Sequence, residues 1–284
     1  MNKFAITLLV LLLPALALAA GPDTTRPDSV RTDLSAHFTA QGVEGCFVAE
    51  TDTGVVRVNP ERCARPFRPA SSFKIINALT AFENHVADPA LVMKWDGVRH
   101  PDFPAWDKDL NLEEAFRASA VWYFVRLGRM NGRERLAAAM RALDYGNADA
   151  SGSDQFWIDG PLAISADNQV RVLGRLARGQ TEFSPRSLDL LRRIMLLDSG
   201  VDAGGGLWRL YAKTGLAPFK SAADPSVGWF VGFVERVDER GDRILPFALN
   251  LSPMGESRLT PAQLAARSNI ARAMLCDLGI LPKR

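Results

Sequence analysis

The chain has 284 residues, 47% hydrophobic and 23% charged, with a net charge of +2. That balance is globular: it excludes a disordered chain, a fibre and a disulfide-dense mini-protein, and it supplies no basic field of the kind nucleic acid needs. His37, His85 and His100 are the only histidines, no HxH, HExxH or CxxC pair exists, and seven of the 34 basic residues are lysines. A multi-histidine metal site and a CxxC redox pair are disfavoured, and an enzyme on this chain draws its base from a carboxylate or from one of the few lysines.

Residues 1–20 open with Lys3, run apolar from Phe4 to about Leu18, and end in small residues at Ala17, Ala19 and Ala20. One positive charge, a short apolar core and an A-x-A site predict a secretory signal peptide cleaved after Ala19 or Ala20. The run is too short to span a bilayer comfortably and contains Pro14, so a membrane anchor is the poorer reading. Residues 21–284 then form a single exported domain. Gly21–Pro27 reads as a loose start, and Val30, Leu34 and Phe38 mark a short amphipathic helix. A hairpin follows, Val43–Glu50 and Val55–Asn59, turning at Asp52, Thr53 and Gly54. Export permits disulfides, and Cys46 and Cys63 flank this hairpin. A bridge between them and two buried thiols both remain open, while Cys276 reads as core.

The sequence is then mainly helical over about residues 75–200. Candidate helices are Ser71–Glu83, Leu112–Gly128, Arg133–Leu143 with Asn131 as cap, Ser165–Arg178, and Ser184–Leu197 with Pro185 in its first turn. Strand character returns at Leu207–Lys213, Val227–Val234 and Ile244–Leu251, and Thr260 caps a last helix to Leu278. Short connections make the late strands antiparallel. The predicted fold is α+β: one antiparallel sheet of five strands drawn from both ends of the chain. Terminal helices flank it on one face, and a helical subdomain inserted between strands 2 and 3 covers the other.

Three short motifs carry chemistry. Ser71 and Lys74 lie one helical turn apart in Pro69-Ala70-Ser71-Ser72-Phe73-Lys74, at a helix start that favours developing negative charge. An amine so placed, or a derivative of it, can take the serine proton. Lys213, Thr214 and Gly215 end a predicted strand, joining a fixed positive charge to a backbone a ligand can approach. Ser119, before Ala120 and Val121, sits at a break in helical sequence where it can bond both lysines. Each alone has an ordinary explanation: a solvated lysine, a strand ending at glycine, a local cap.

Together they resemble the serine β-lactamase and penicillin-binding protein superfamily, in the order S-x-x-K, S-x-[VN], K-T-G. Tyr145-Gly146-Asn147, Phe156-Trp157-Ile158 and the strand Gly228-Trp229-Phe230-Val231-Gly232 narrow the likeness to class D β-lactamases, the oxacillinase group, from about Val43 to Leu281. Ser72 and Ile158 depart from that pattern, which usually has Thr and Leu. Ala166-Asp167-Asn168 is a decoy for the S-D-N of class A and sits in the first turn of a helix.

The resemblance implies hydrolysis of β-lactams through an acyl-enzyme on Ser71. It implies that Lys74, carboxylated by carbon dioxide or bicarbonate, is the base for acylation and for the deacylating water, with Trp157 holding the carbamate. The backbone N–H groups of Ser71 and Leu216 would form the oxyanion hole. Ser119 would relay a proton, and Lys213, Thr214, Gly215 and Arg267 would bind the substrate. Val121 and Ile158 would gate water. No metal or other cofactor is implied, and no nucleic acid or membrane partner after cleavage of the leader; the protein would be a periplasmic or secreted monomer or homodimer. The rival expectations are a penicillin-binding transpeptidase or carboxypeptidase, or a β-lactam sensor domain, each with a long-lived acyl-enzyme.

Overall fold

The computed structural model describes residues 28–221 and 223–283, so the leader expected over residues 1–20 lies outside the described residues. In chain order, β1 (Asp28–Val30) leads through a 3-10 turn (Thr32–Ser35) to α1 (Ala36–Thr39). The hairpin β2 (Val43–Thr51) and β3 (Gly54–Val58) follows, then α2 (Pro60–Ala64), capped by the side chain of Asn59. A second 3-10 turn, Ala70–Phe73, runs directly into α3 (Lys74–Glu83). Two short strands, β4 (Val92–Met93) and β5 (Leu110–Asn111), precede the helices α4 (Leu112–Ala118), α5 (Val121–Asn131), α6 (Arg133–Ala142), α7 (Ala166–Ala177) and α8 (Pro185–Met195). The chain closes with β6 (Leu196–Val201), β7 (Leu207–Ala217), β8 (Val227–Asp238), β9 (Gly241–Pro253) and α9 (Pro261–Asp277).

All five expected strands are present, but the sheet has seven, in the order β1-β3-β2-β9-β8-β7-β6. It is also mixed, because β1 runs parallel to β3. Both unforeseen strands lie at the edges, where burial leaves little pattern in the sequence. β1 is exposed along its length, and Val30 belongs to it rather than to a helix face. Its place is held by the Asp28–Arg57 ion pair at 2.6 Å and the Arg31 N–H bond to the Arg57 carbonyl at 2.9 Å. β6 begins one residue after α8 ends, so Leu196 and Leu197 read in sequence as a continuation of that helix.

Two helix boundaries also differ. The candidate helix from Leu112 is two helices that part at Ser119, the break the sequence marks, where a φ of 59° is left-handed. Gly132, not Asn131, caps α6, because the Asn131 side chain turns inward to bond the carbonyl and side-chain oxygens of Asn77. Ser165 and Thr260 cap their helices as the sequence predicts, and Ser184 caps α8.

The sheet divides two cores. Alternate residues of central β8 serve each: Val227, Trp229, Val231 and Phe233 join the core under α3 and α7, and Phe230 and Val234 the core under α1 and α9. This is the expected layering, with the helical region inserted between β3 and β6. The Cys46–Cys63 bridge is not formed. Both are buried free thiols, and Cys63 Sγ donates to the carbonyls of Phe47 at 3.4 Å and Val58 at 3.5 Å instead. No helix among the described residues is long and apolar enough to cross a membrane.

Candidate active site

The turn Ala70–Phe73 presents Ser71 at the start of α3, and Ala70 holds a left-handed φ of 47° just before it. Such a conformation costs energy in a non-glycine residue and persists only where the surroundings enforce it. Here the Ala70 N–H donates to the Trp157 carbonyl at 2.8 Å, and Ser72 Oγ donates back to the Pro69 carbonyl at 2.8 Å. Gln169 Nε2 then donates to Ser72 Oγ at 2.9 Å and to Tyr145 Oη at 3.4 Å. Ser72 thus locks the turn, and Tyr145 braces it from the core.

Lys74 is fully buried, with Nζ 2.7 Å from Ser71 Oγ, 2.7 Å from the Ser119 carbonyl and 3.2 Å from Ser119 Oγ. Burial, and then the positive charge of Lys213, push its amine well below the usual lysine range. The left-handed Ser119 at the α4–α5 break is what aims both of its oxygens at Lys74. Lys213 Nζ meets the same hydroxyl from the other side, at 3.0 Å, and lies 3.4 Å from Thr214 Oγ1. Ser71, Lys74, Ser119, Lys213 and Thr214 therefore form one hydrogen-bonded chain. Burial, and then Arg267, lower Lys213 to about 7, and burial lowers Arg267 to about 10.

Gly215 lets β7 lie against the nucleophile turn. A Cβ there would stand 3.0 Å from the Pro69 carbonyl oxygen and 3.3 Å from the Ser72 backbone nitrogen. This contact brings the backbone at Leu216 beside the turn that carries Ser71. Trp157 is buried against the ring of Phe73, with centroids 5.3 Å apart, and its Nε1 has no hydrogen-bond partner. A buried indole N–H without an acceptor costs energy, so this position suits a hydrogen-bond acceptor. Val121 and Ile158 are half-buried and pack on the same core. Arg267 Nε also lacks a partner. Among the described residues, no group of three or more His, Cys, Asp or Glu is placed to hold a metal.

The sequence reading missed several supporting residues. Gln169 gave no signal beyond being one polar residue on an apolar helix face. The rings of Phe124 and Phe116 lie 5.4 and 5.5 Å from the amines of Lys74 and Lys213. The Gly146-Asn147 motif proves to be a loop clamp: Asn147 donates its N–H to the Ala163 carbonyl and its Nδ2 to the Pro161 carbonyl. The decoy Asn168 accepts from the Gly146 N–H at 2.6 Å and is part of the same clamp.

Residues 36–272 match the penicillin-binding protein transpeptidase domain family. The chain is 33% identical to the β-lactamase OXA-48 of Klebsiella pneumoniae over 282 residues, covering 96% of this chain and 99% of that protein. It is 35% identical to the probable β-lactamase YbxI of Bacillus subtilis over 199 residues, 69% of each chain. Among solved structures, the class D β-lactamase YbXI from Nostoc superposes with a TM-score of 0.77 at 32% identity, covering 88% of this chain and all of that one. FUS-1 (OXA-85), a class D β-lactamase from Fusobacterium nucleatum subsp. polymorphum, superposes with a TM-score of 0.78 at 30% identity, covering 88% and 99%.

Proposed function

The chain belongs to the class D β-lactamases, within the transpeptidase family, and on that premise we propose that it hydrolyses β-lactams through an acyl-enzyme on Ser71 with carboxylated Lys74 as the base. The observation that carries this reading is Lys74 itself: a buried amine held below its usual pKa, 2.7 Å from the nucleophile and, among the described residues, without a carboxylate partner. A neutral amine is the form that adds carbon dioxide, losing a proton as the N–C bond forms. The unpartnered Trp157 Nε1 and the Ser71 hydroxyl supply donors for the resulting anion. Carboxylated Lys74 would supply a base of carboxylate strength, used first on Ser71 and then on the deacylating water.

The remaining residues bind and move protons. Ser71 and Leu216 offer backbone N–H groups where charge develops on the carbonyl oxygen. Ser119, bonded to both lysines, passes a proton to the leaving lactam nitrogen. Lys213, Thr214 and Arg267 hold the substrate carboxylate, with Gly215 letting it lie close to the strand. Val121 and Ile158 border the access of water to Lys74. After removal of the leader, residues 21–284 act as one exported catalytic domain in the periplasm or outside the cell.

Hydrolysis of a chromogenic cephalosporin by equimolar and excess substrate tests this. Many turnovers per Ser71, abolished in Ser71→Ala by at least about a thousandfold, are expected. A single stoichiometric burst would instead identify a transpeptidase or a sensor that keeps its acyl group.

A further inference from the structure

Arg68 stands three residues before the nucleophile, is 6% exposed, and has no part in the chemistry above. Its Nη1 donates to the Ile158 carbonyl at 2.5 Å, and its Nη2 to the Pro218 carbonyl at 2.5 Å and to Asp224 at 3.0 Å. Its Nε reaches the same Asp224 oxygen at 3.2 Å. One guanidinium thereby joins three pieces of chain: the segment entering Ser71, the stretch carrying Trp157 and Ile158, and the connection from β7 to β8. A planar fork of donors can serve acceptors on two sides at once, and an ammonium cannot reproduce it.

The backbone around Arg68 is already fixed. Trp229 Nε1 donates to the Arg68 carbonyl at 2.9 Å, and Phe67 exchanges a pair of 2.9 Å bonds with Ile164. The side chain therefore works from a rigid base. Among the described residues, a second tie between the same two pieces is Lys220 Nζ to the Asp159 carbonyl at 2.5 Å, made by an exposed lysine. Exposed contacts of this kind are weak, which leaves the buried guanidinium as the main link.

We propose that Arg68 is a positioning residue for this reaction: it holds Ile158, and with it Trp157, at a fixed distance from the end of β7. The inference rests on the reading of Lys74 as a carboxylated base. Without the guanidinium, two carbonyl oxygens and the Asp224 carboxylate would converge with no donor between them. The two segments would part beside Ile158 and water would enter around Lys74. A wetter site favours the protonated amine, which does not hold carbon dioxide, so the enzyme would need more bicarbonate to work.

The test compares wild type, Arg68→Met, Arg68→Lys and Asp224→Asn, each checked by active-site titration with a slowly deacylated β-lactam. For Arg68→Met, the bicarbonate concentration for half-maximal turnover is expected to rise about tenfold. Its kcat at ambient bicarbonate should fall by up to about a hundredfold and recover at saturating bicarbonate. Arg68→Lys, which keeps the charge but loses the fork, should rescue only part of the shift. Asp224→Asn, which leaves both carbonyl bonds in place, should shift the requirement by about twofold to threefold in the same direction. If Arg68→Met does not fold, an unchanged bicarbonate requirement in folded Asp224→Asn and Arg68→Lys overturns the proposal. So does an Arg68→Met enzyme with full titratable sites and the wild-type requirement. If wild type itself shows neither bicarbonate dependence nor a carbamate signal, the reading of Lys74 fails first and Arg68 falls with it.

Discussion

At the end of β7 and β8 that faces the nucleophile, Lys74, Lys213 and Arg267 gather with no carboxylate in ion-pair reach among the described residues. At the opposite end of the same strands, Arg236 bonds Asp202 and lies 3.3 Å from Asp238, while Arg243 bonds Asp238 and reaches Asp52 at 2.5 Å. Arg240 adds a 2.9 Å pair to Asp52. One end satisfies its positive charge within the fold and the other does not. Burial without a counter-charge is what depresses Lys74 and Lys213, and the missing negative charge is what a carbamate and a substrate carboxylate would bring. The distal end stabilises; the proximal end is kept short of anions.

Removing Trp157, the proposed donor to a carbamate on Lys74, should have the largest effect. Trp157→Ala is expected to lower kcat by about a hundredfold, with bicarbonate restoring part of it. Steady-state rates with and without added bicarbonate check this, and a loss that bicarbonate does not touch would assign Trp157 to packing alone. Next comes the substrate anion. Arg267→Ala should raise KM for a penicillin about tenfold with kcat little changed. An unaltered KM would move that anchor elsewhere.

The pH profile sharpens the same point by a smaller amount. Lys213 is protonated below about 7 and neutral above it, so its attraction for a carboxylate is lost as pH rises through that value. KM of the Arg267→Ala variant should therefore climb with pH more steeply than that of wild type, where the guanidinium, at about 10, still carries charge; the climb starts above 7, because the variant also removes the Arg267 charge that helps lower Lys213. The distal end should show the least effect on activity. Arg236→Met is expected to lower unfolding stability, because it removes the buried cation around which Asp202 and Asp238 gather, while leaving kcat and KM within about twofold. Chemical denaturation beside steady-state kinetics checks both halves.

The proximal end was the more legible of the two in sequence. Ser71, Lys74, Ser119 and Lys213 sit in short motifs whose joint order carries the family resemblance, and the structure joins them in one hydrogen-bonded chain. The strands that face a core on both sides were also plain, since burial writes a pattern into them. What escaped were features without periodicity. β1 and β6 are exposed edges; the break at Ser119 was legible, but its left-handed backbone depends on how α4 and α5 pack. The ion pairs of Arg236 and Arg243 join residues scattered from 52 to 243, which no local window can reveal. Arg68 was hidden for the same reason: its partners lie 90 and 150 residues away. Cys46 and Cys63 were visible as a pair, but spacing alone could not choose between bridge and thiols.

On the proposed mechanism, a carbamate on Lys74 completes the uncompensated end of the sheet. Carbon-13 NMR of the wild-type protein in labelled bicarbonate, at mildly alkaline pH, addresses it most directly. A carbamate resonance that is absent from Lys74→Ala and lost on acidification is the expected result. An enzyme that turns over β-lactams at full rate with no such resonance would rule out a carbamate on Lys74 as the base.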